Sequence, residues 1–318
     1  MTATALPRSC SGAPLRALTF LLPVFAVVSA GAQRPASGTA ALRVAIEHRT
    51  AEVPGAVIGV AFRDLESGDT LFVNADDRFH AASTMKVPVM IELFRQADAG
   101  TLRLDQRVPL ANQFHSIVDG SSYVLDPRDD SDSAAYALVG TRVPVRDLLE
   151  HMITRSSNLA TNALIELVGA KRANATAHAL GARNINVLRG VEDDKAFAAG
   201  RNNTTTARDL EVLMTAIETG TAASRASCDT MRAILLRQEF NGEIPAGLPP
   251  GTKVAHKTGF ITGVLHDAAI VYPEHHTPYV LVVLTRDIPD QRVARALIVD
   301  VSRLVYAHVM GQPLPSVQ

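Results

Sequence analysis

The sequence predicts an α+β fold in which both ends of the chain build one antiparallel sheet and the middle forms a mainly helical lobe. Three features predict it. Two β-patterned runs lie early, at 56–62 and 70–73, and three more lie late, at 254–259, 267–272 and 279–284. Between them, from Ala81 to about Leu236, apolar residues recur at helical spacing. Strands at both ends with helices between close as one sheet carrying flanking helices, with the middle as a second lobe.

Each element has its own reason. Leu42, Ile46 and Val53 recur at roughly helical spacing from Ala40 onward, which predicts an N-terminal helix after a linker at 33–39. Asp64-Leu65-Glu66-Ser67-Gly68-Asp69 supplies turn chemistry, so the first two strands read as a hairpin. Met90, Leu93 and Phe94 make one helical stripe; Leu148, Leu149 and Met152 make another. Leu159, Ala163, Ile165 and Leu167 suggest a third, and Met214 and Ile217 lie on a fourth that Thr204-Thr205-Thr206 can cap. The stretch 114–140 is polar and rich in Ser, Asp and Gly, and reads as a long loop at the rim of a site. Past Pro249-Pro250-Gly251 the period returns to two for the late strands. A last helix over about 290–309 carries Val293, Leu297, Val301 and Leu304. The sheet lobe is thus expected from about 40–80 and 250–312, and the helical lobe from about 81–249.

Residues 1–32 read as a separate unit. Arg8 and Arg16 precede an apolar run over 17–30, which ends in Ala30-Gly31-Ala32. Charge, a short apolar core and small residues is the layout of a secretory signal peptide, and the run falls short of the roughly 20 residues a membrane span needs. An exported, periplasmic or secreted protein is expected, with no membrane span after cleavage. The whole chain has 31 Lys+Arg against 32 Asp+Glu, a net charge of -1, so no basic field exists to hold nucleic acid. Cys10 lies in the leader, which leaves Cys228 as a lone thiol without a disulfide partner or a metal cluster. A monomer is expected.

Lysine is scarce: Lys86, Lys171, Lys195, Lys253 and Lys257 are all there are. One of them follows a serine by three places, in Ser83-Thr84-Met85-Lys86. Pro88 favours a helix that has only just begun, so Ser83 lies at a helix N-terminus, where free N–H groups favour a developing oxyanion. Lys86 shares its face one turn on, and a desolvated amine can act as base for a hydroxyl. The plainer reading is a surface serine capping a helix beside a solvated lysine. Ser156-Ser157-Asn158 lies between two expected helices, where a capping turn would serve equally. Lys257-Thr258-Gly259 lies on an expected strand; Lys and Thr suit a carboxylate, and Gly allows close approach. His80 lies near Ser83 without an oriented triad partner, and His275-His276 reads as a turn pair.

A Ser-x-x-Lys at a helix start, a Ser-x-Asn between helices and a Lys-Thr-Gly on a strand, in that order, resemble the penicillin-recognising serine enzymes, most closely the class A β-lactamases. The resemblance covers about residues 40–310. It includes Met152-Ile153-Thr154-Arg155 ahead of the second triplet, Ala246-Gly247-Leu248-Pro249, and the stretch 254–273 with His266-Asp267 inside. It implies a β-lactamase/transpeptidase-like fold that needs no metal or cofactor and takes a small-molecule β-lactam. It implies that Ser83 is acylated by the lactam carbonyl and that Lys86 accepts or relays the proton. Ser156 would pass a proton to the leaving nitrogen, and Asn158 would bind the substrate's side-chain amide and Lys86. Lys257 and Thr258 would hold the substrate carboxylate beside Gly259, and the N–H groups of Ser83 and Phe260 would form the oxyanion hole. The family frees its acyl-enzyme with a Glu on an Ω-shaped loop, and Glu192 in Arg189-Gly190-Val191-Glu192 is the candidate. The family's Leu-Asn after that Glu is absent here, Asn203 stands where an Asp pairs with the loop's Arg, and Ser157 replaces an Asp. The same acylation machinery serves D-Ala-D-Ala carboxypeptidases and related hydrolases, and a sensor that is acylated once, so these remain alternatives.

Overall fold

The computed structural model describes residues 38–315; the expected leader at 1–32 and most of the linker lie outside the described residues. Helix α1 (Gly38–Ala51) begins two residues before Ala40, inside the expected linker, and ends before Val53. Its start is packed: a Cβ on Gly38 would lie 3.0 Å from the His308 ring. Strands β1 (Val57–Asp64) and β2 (Thr70–Val73) form the expected hairpin. The two-residue β3 (Phe79–His80) then leads into a 3₁₀ turn, Ala82–Met85, and helix α2 (Lys86–Asp98).

The stretch expected as one long loop is more ordered than its composition suggests. After β4 (Arg107–Pro109) it holds a small hairpin, β5 (Phe114–His115) with β6 (Ser122–Tyr123), and a 3₁₀ turn, Ser133–Leu138. Strand β7 (Arg142–Pro144) closes it by pairing with β4. Paired segments of two or three residues are too short to show a period, so composition alone reads them as loop.

The helical lobe continues through α3 (Val145–Thr154), α4 (Asn158–Val168), α5 (Ala170–Ala179) and the one-turn α6 (Asp194–Ala198). Strand β8 (Thr204–Thr205) pairs with β3, and α7 (Ala207–Thr219) and α8 (Arg225–Leu235) complete the lobe. The expected cap on α7 is Thr206, whose hydroxyl accepts the Asp209 N–H at 3.0 Å. A cap of this kind contributes about 1 kcal/mol.

Three long strands follow: β9 (Lys253–Ile261), β10 (Val264–Tyr272) and β11 (Tyr279–Arg286). The sheet order is β2-β1-β11-β10-β9, antiparallel throughout, so the two chain ends meet where β1 pairs with β11. Helix α9 (Gln291–Val309) closes the fold, capped by Asp290. It packs with α1 on one sheet face, where Ile58, Val60 and Phe62 meet Leu42, Ile46, Leu297, Val301 and Leu304. Ala61 on β1 and Val280, Val282 and Leu284 on β11 face the helical lobe. A sheet covered on both faces favours apolar residues at successive positions, which is why residues 279–284 of β11 read as an unbroken apolar run. Each buried Leu or Ile contributes on the order of 2 kcal/mol, and Leu297→Ala would cost about 2–5 kcal/mol by opening a cavity. Val293, expected on the buried stripe of α9, is instead 37% exposed, because the stripe runs through Leu297, Val301 and Leu304.

Candidate active site

The edge strand β9 lies against the 3₁₀ turn that precedes α2, and this contact builds one wall of a cleft of about 850 Å³. Ser83 lines that cleft. Among the described residues 81–94 it alone is half-buried; the others are buried, though Ala82 also borders the opening. The turn is held from several sides. Ala82, at φ +44°, donates its N–H to His80 Nδ1 at 3.1 Å, and Thr84 Oγ1 donates to the Ala81 carbonyl at 2.6 Å. His266 Nε2 donates to the His80 carbonyl at 2.9 Å while its Nδ1 accepts the Thr285 N–H at 3.2 Å. Burial pulls the His266 imidazole down to about 4, so it is a neutral structural link.

Lys86 follows Ser83 by one 3₁₀ turn, a spacing that puts the two on one face. Its side chain is fully buried. The amine donates to the Ser156 carbonyl at 2.6 Å, Asn158 Oδ1 at 3.0 Å and Ser156 Oγ at 3.2 Å. Burial pulls it down to about 7, against the opposing pull of the Asp130 and Glu192 carboxylates. A lysine of that acidity exchanges a proton near neutrality.

The Ser156-Ser157-Asn158 junction serves both readings that the sequence allowed. Ser157 caps α4 by accepting the Ala160 N–H at 3.2 Å, while Ser156 and Asn158 line the cleft. Ser156 sits at φ +58°, a conformation that costs a non-glycine residue about 1–2 kcal/mol. Ala82, Ser156 and Glu192 all line the cleft with positive φ, so strain gathers around it.

On β9, Lys257 is fully buried, and its amine donates to Ser156 Oγ at 3.1 Å and to the Thr258 carbonyl at 2.8 Å. Burial, then the nearby Lys86 charge, push it well below the ordinary lysine range, against the pull of Asp267 and Glu243. Thr258, Gly259 and Phe260 line the cleft. A Cβ on Gly259 would lie 3.1 Å from Thr84 Cγ2 and 3.2 Å from the Ser83 and Thr84 nitrogens. Glycine lets the strand approach the serine turn this closely without either having to give way.

Glu192 comes from the loop over 189–203. Its Oε1 accepts from Asn158 Nδ2 at 2.5 Å, completing a chain from Lys86 through the Asn158 amide to this carboxylate. Burial pushes the Glu192 carboxyl above the usual carboxylate pKa range; the Asn158 bond opposes this and the Asp130 charge adds to it. Asn162, one turn after Asn158, clamps the neighbouring peptide: its Oδ1 accepts the Val191 N–H at 2.6 Å and its Nδ2 donates to the Val191 carbonyl at 3.0 Å. Gly190 lies under the clamp, since a Cβ there would be 2.4 Å from Asn162 Oδ1. Asn203 does not meet the Arg189 guanidinium. Its Oδ1 accepts the N–H groups of Leu188 and Arg189 at 2.8 and 3.2 Å, and its Nδ2 donates to the Arg189 carbonyl at 2.9 Å. The guanidinium instead donates to the Arg201 and Gly190 carbonyls and to Asn202 Oδ1.

The structure thus brings Ser83, Ser156, Asn158, Glu192, Thr258, Gly259 and Phe260 around one cleft, with the fully buried Lys86 and Lys257 joined to it through the Ser156 hydroxyl. Sequence reasoning missed Asp130 and Asn162. Asn162 was findable, because i+4 from Asn158 on one helix shares its face. Asp130 carried no signal, since acids in a polar loop are usually solvated. Phe197, Phe240 and Phe260 also border the opening, exposed by 57%, 39% and 57%.

A half-buried serine lining a cleft whose Ser156 hydroxyl accepts from two desolvated amines is the equipment of a serine acyl-transfer enzyme, and its seat beside the edge of a five-stranded sheet narrows that class. The chain belongs to the beta-lactamase enzyme family, whose model matches residues 41–309, and its type is the class A serine type. It is 29% identical over 256 residues to beta-lactamase AST-1 of Nocardia asteroides, covering 79% of this chain and 78% of that protein. It is similar to the crystal structure of a beta-lactamase from Sphaerobacter thermophilus, with 30% identity, TM-score 0.69 and coverage of 87% and 98%. It is also similar to a PBP-A mutant in an acyl-enzyme complex with penicillin G, with 30% identity, TM-score 0.72 and coverage of 86% and 97%.

Proposed function

We propose that this protein is a serine β-lactamase that opens the lactam amide through an ester on Ser83. One observation carries the reading: Ser83 lines a cleft together with Ser156, whose Oγ accepts from the buried amines of both Lys86 and Lys257. Lys86, pulled to about 7, takes or relays the Ser83 proton as the hydroxyl attacks the carbonyl carbon. The developing oxyanion is received by the N–H groups of Ser83 and Phe260, a reading supported by the close approach of Gly259 to the Ser83 nitrogen. Ser156 returns a proton to the leaving ring nitrogen, since a hydroxyl that accepts from two amines has its own hydrogen free to give. Thr258 and Lys257 receive the substrate carboxylate, and Asn158 its side-chain amide.

Glu192 is the proposed base for release. It takes a proton from water as the water oxygen bonds to the ester carbonyl carbon. When the C–O bond to Ser83 breaks, that proton returns from Glu192 to the serine oxygen, which leaves as the free hydroxyl while the opened product departs as its acid. Its bond to Asn158 and its place in the cleft support this role. A penicillin-binding protein that keeps its adduct is the second reading. It is favoured by the missing Leu-Asn after Glu192 and by the likeness to the PBP-A acyl-enzyme.

Export to the periplasm or medium is part of the proposal and rests on the leader-like residues 1–32. Among the described residues no helix is long and apolar enough to cross a membrane. The deciding experiment follows intact mass and lactam absorbance together after mixing with a penicillin. A transient +1 adduct with continuing lactam loss is expected; a persistent adduct favours the second reading, and no adduct overturns both.

A further inference from the structure

We propose that Asp130 is a positioning residue of this site: its carboxylate, delivered by the loop after β6, fixes the first residues of α4 and gives the buried Lys86 amine a negative partner. The inference deepens the acylation reading above and rests on it for its meaning.

The geometry is one carboxylate serving several donors. Asp130 Oδ2 accepts the N–H groups of Asn158 and Leu159 at 2.9 and 3.0 Å, and the Tyr136 hydroxyl at 3.1 Å. Its Oδ1 accepts the Asp132 N–H at 3.0 Å. The side chain is nearly buried, yet it borders the cleft. A carboxylate at the N-terminal end of α4 satisfies donors that the helix leaves open and is favoured by the helix dipole. Asn158 hangs from that same end, and its Oδ1 takes a bond from Lys86 at 3.0 Å. One residue therefore separates the Asp130 carboxylate from the amine proposed to move the Ser83 proton.

Charge adds a second consequence. Lys86 faces Asp130, Glu192 and the like charge of Lys257. Glu192 faces Asp130, Asp129 and Lys86. Asp130 faces Tyr136 from its own loop, and its neighbour Asp132 is bound by His151 at 2.5 Å and approached by Arg155 at 4.0 Å. Removing the Asp130 charge makes the Lys86 ammonium less favourable and the Glu192 carboxylate more favourable. Both groups then titrate at lower pH, so the two effects agree in sign.

The test uses Asp130→Asn and Asp130→Glu in the full chain with side-chain labelled lysine. Only five lysines contribute signals, and Lys86→Met assigns the one that matters. The Lys86 midpoint is expected to fall by about 0.5 pH unit or more in Asp130→Asn and to stay nearer the wild type in Asp130→Glu, which keeps the charge. The acid limb of penicillin acylation should move down with it. An unmoved midpoint in a folded Asp130→Asn overturns the proposal, as does an equal shift in Asp130→Glu. If the wild type never reacts with penicillin but the midpoint still falls, the positioning role stands and the functional reading fails.

Discussion

Lys86 and Lys257 meet at one oxygen: Ser156 Oγ lies 3.2 Å from the first amine and 3.1 Å from the second. Two ammonium groups around a single hydroxyl repel, and both are out of water. The site therefore disfavours full protonation, and a neutral amine at Lys86 is available at ordinary pH.

The pH dependence follows from that amine. Acylation by a penicillin is expected to fall as pH drops through about 7, where Lys86 becomes protonated, and to level off above. Stability carries the matching signature. An unfolded lysine titrates near 10.4, so between about 7 and 10 the unfolded chain binds the extra proton and stability rises with pH. Denaturant titrations of the wild type and Lys86→Met across that window should differ by this rising slope. Parallel curves for the two proteins would refute a depressed Lys86.

Ser83→Ala is expected to abolish the penicillin adduct while leaving stability within about 0.5 kcal/mol, because the hydroxyl has no part in the core. Intact mass and a melting curve check both halves. Full labelling of the variant would remove Ser83 from the mechanism.

Glu192→Gln keeps the shape at Asn158 and removes the base. Acylation should persist while release slows by on the order of 100-fold or more, so the adduct accumulates. Unchanged steady-state turnover would exclude Glu192 as the base, and single-turnover kinetics separate the two steps.

Two glycines should split the reaction in opposite ways. Gly259→Ala places a methyl 3.2 Å from the Ser83 nitrogen, so β9 must move off the serine turn and acylation should fall by on the order of 100-fold. Gly190→Ala drives a methyl into Asn162 and displaces the Val191-Glu192 peptide, so release should suffer more than acylation. Rate constants for the two steps, measured separately, check the pattern. Equal loss in both steps for both variants would contradict it.

The long strands and the helices with wide apolar faces were legible because burial imposes a period or an unbroken run. Leu148, Leu149 and Met152 on α3 and residues 279–284 of β11 are examples. Helix α5 was not, because only Ala173 and Ala177 of its residues are buried and alanine marks no stripe. The triplets Ser83–Lys86 and Lys257–Gly259 stood out because lysine is rare in this chain. Asp130 did not, since its importance comes from a contact with Asn158 across 28 residues of sequence. Asn203 was flagged for a missing charge pair; its amide instead holds both sides of the Arg189 peptide neighbourhood, which no spacing could announce.

The pairing of Val57 with Arg286 joins parts of the chain made far apart in synthesis. The hairpin of β1 and β2 leaves the ribosome early but its inner edge stays open until β11 has been made, more than 200 residues later. A sheet completed by contacts this distant in sequence forms slowly, and its half-built state exposes an apolar edge. Synthesis that stops short of β11 therefore yields a sticky intermediate with no assembled wall of β strands behind the cleft. The strand that completes the sheet is thus among the last parts of the chain to be made, and the wall exists only when both ends are present.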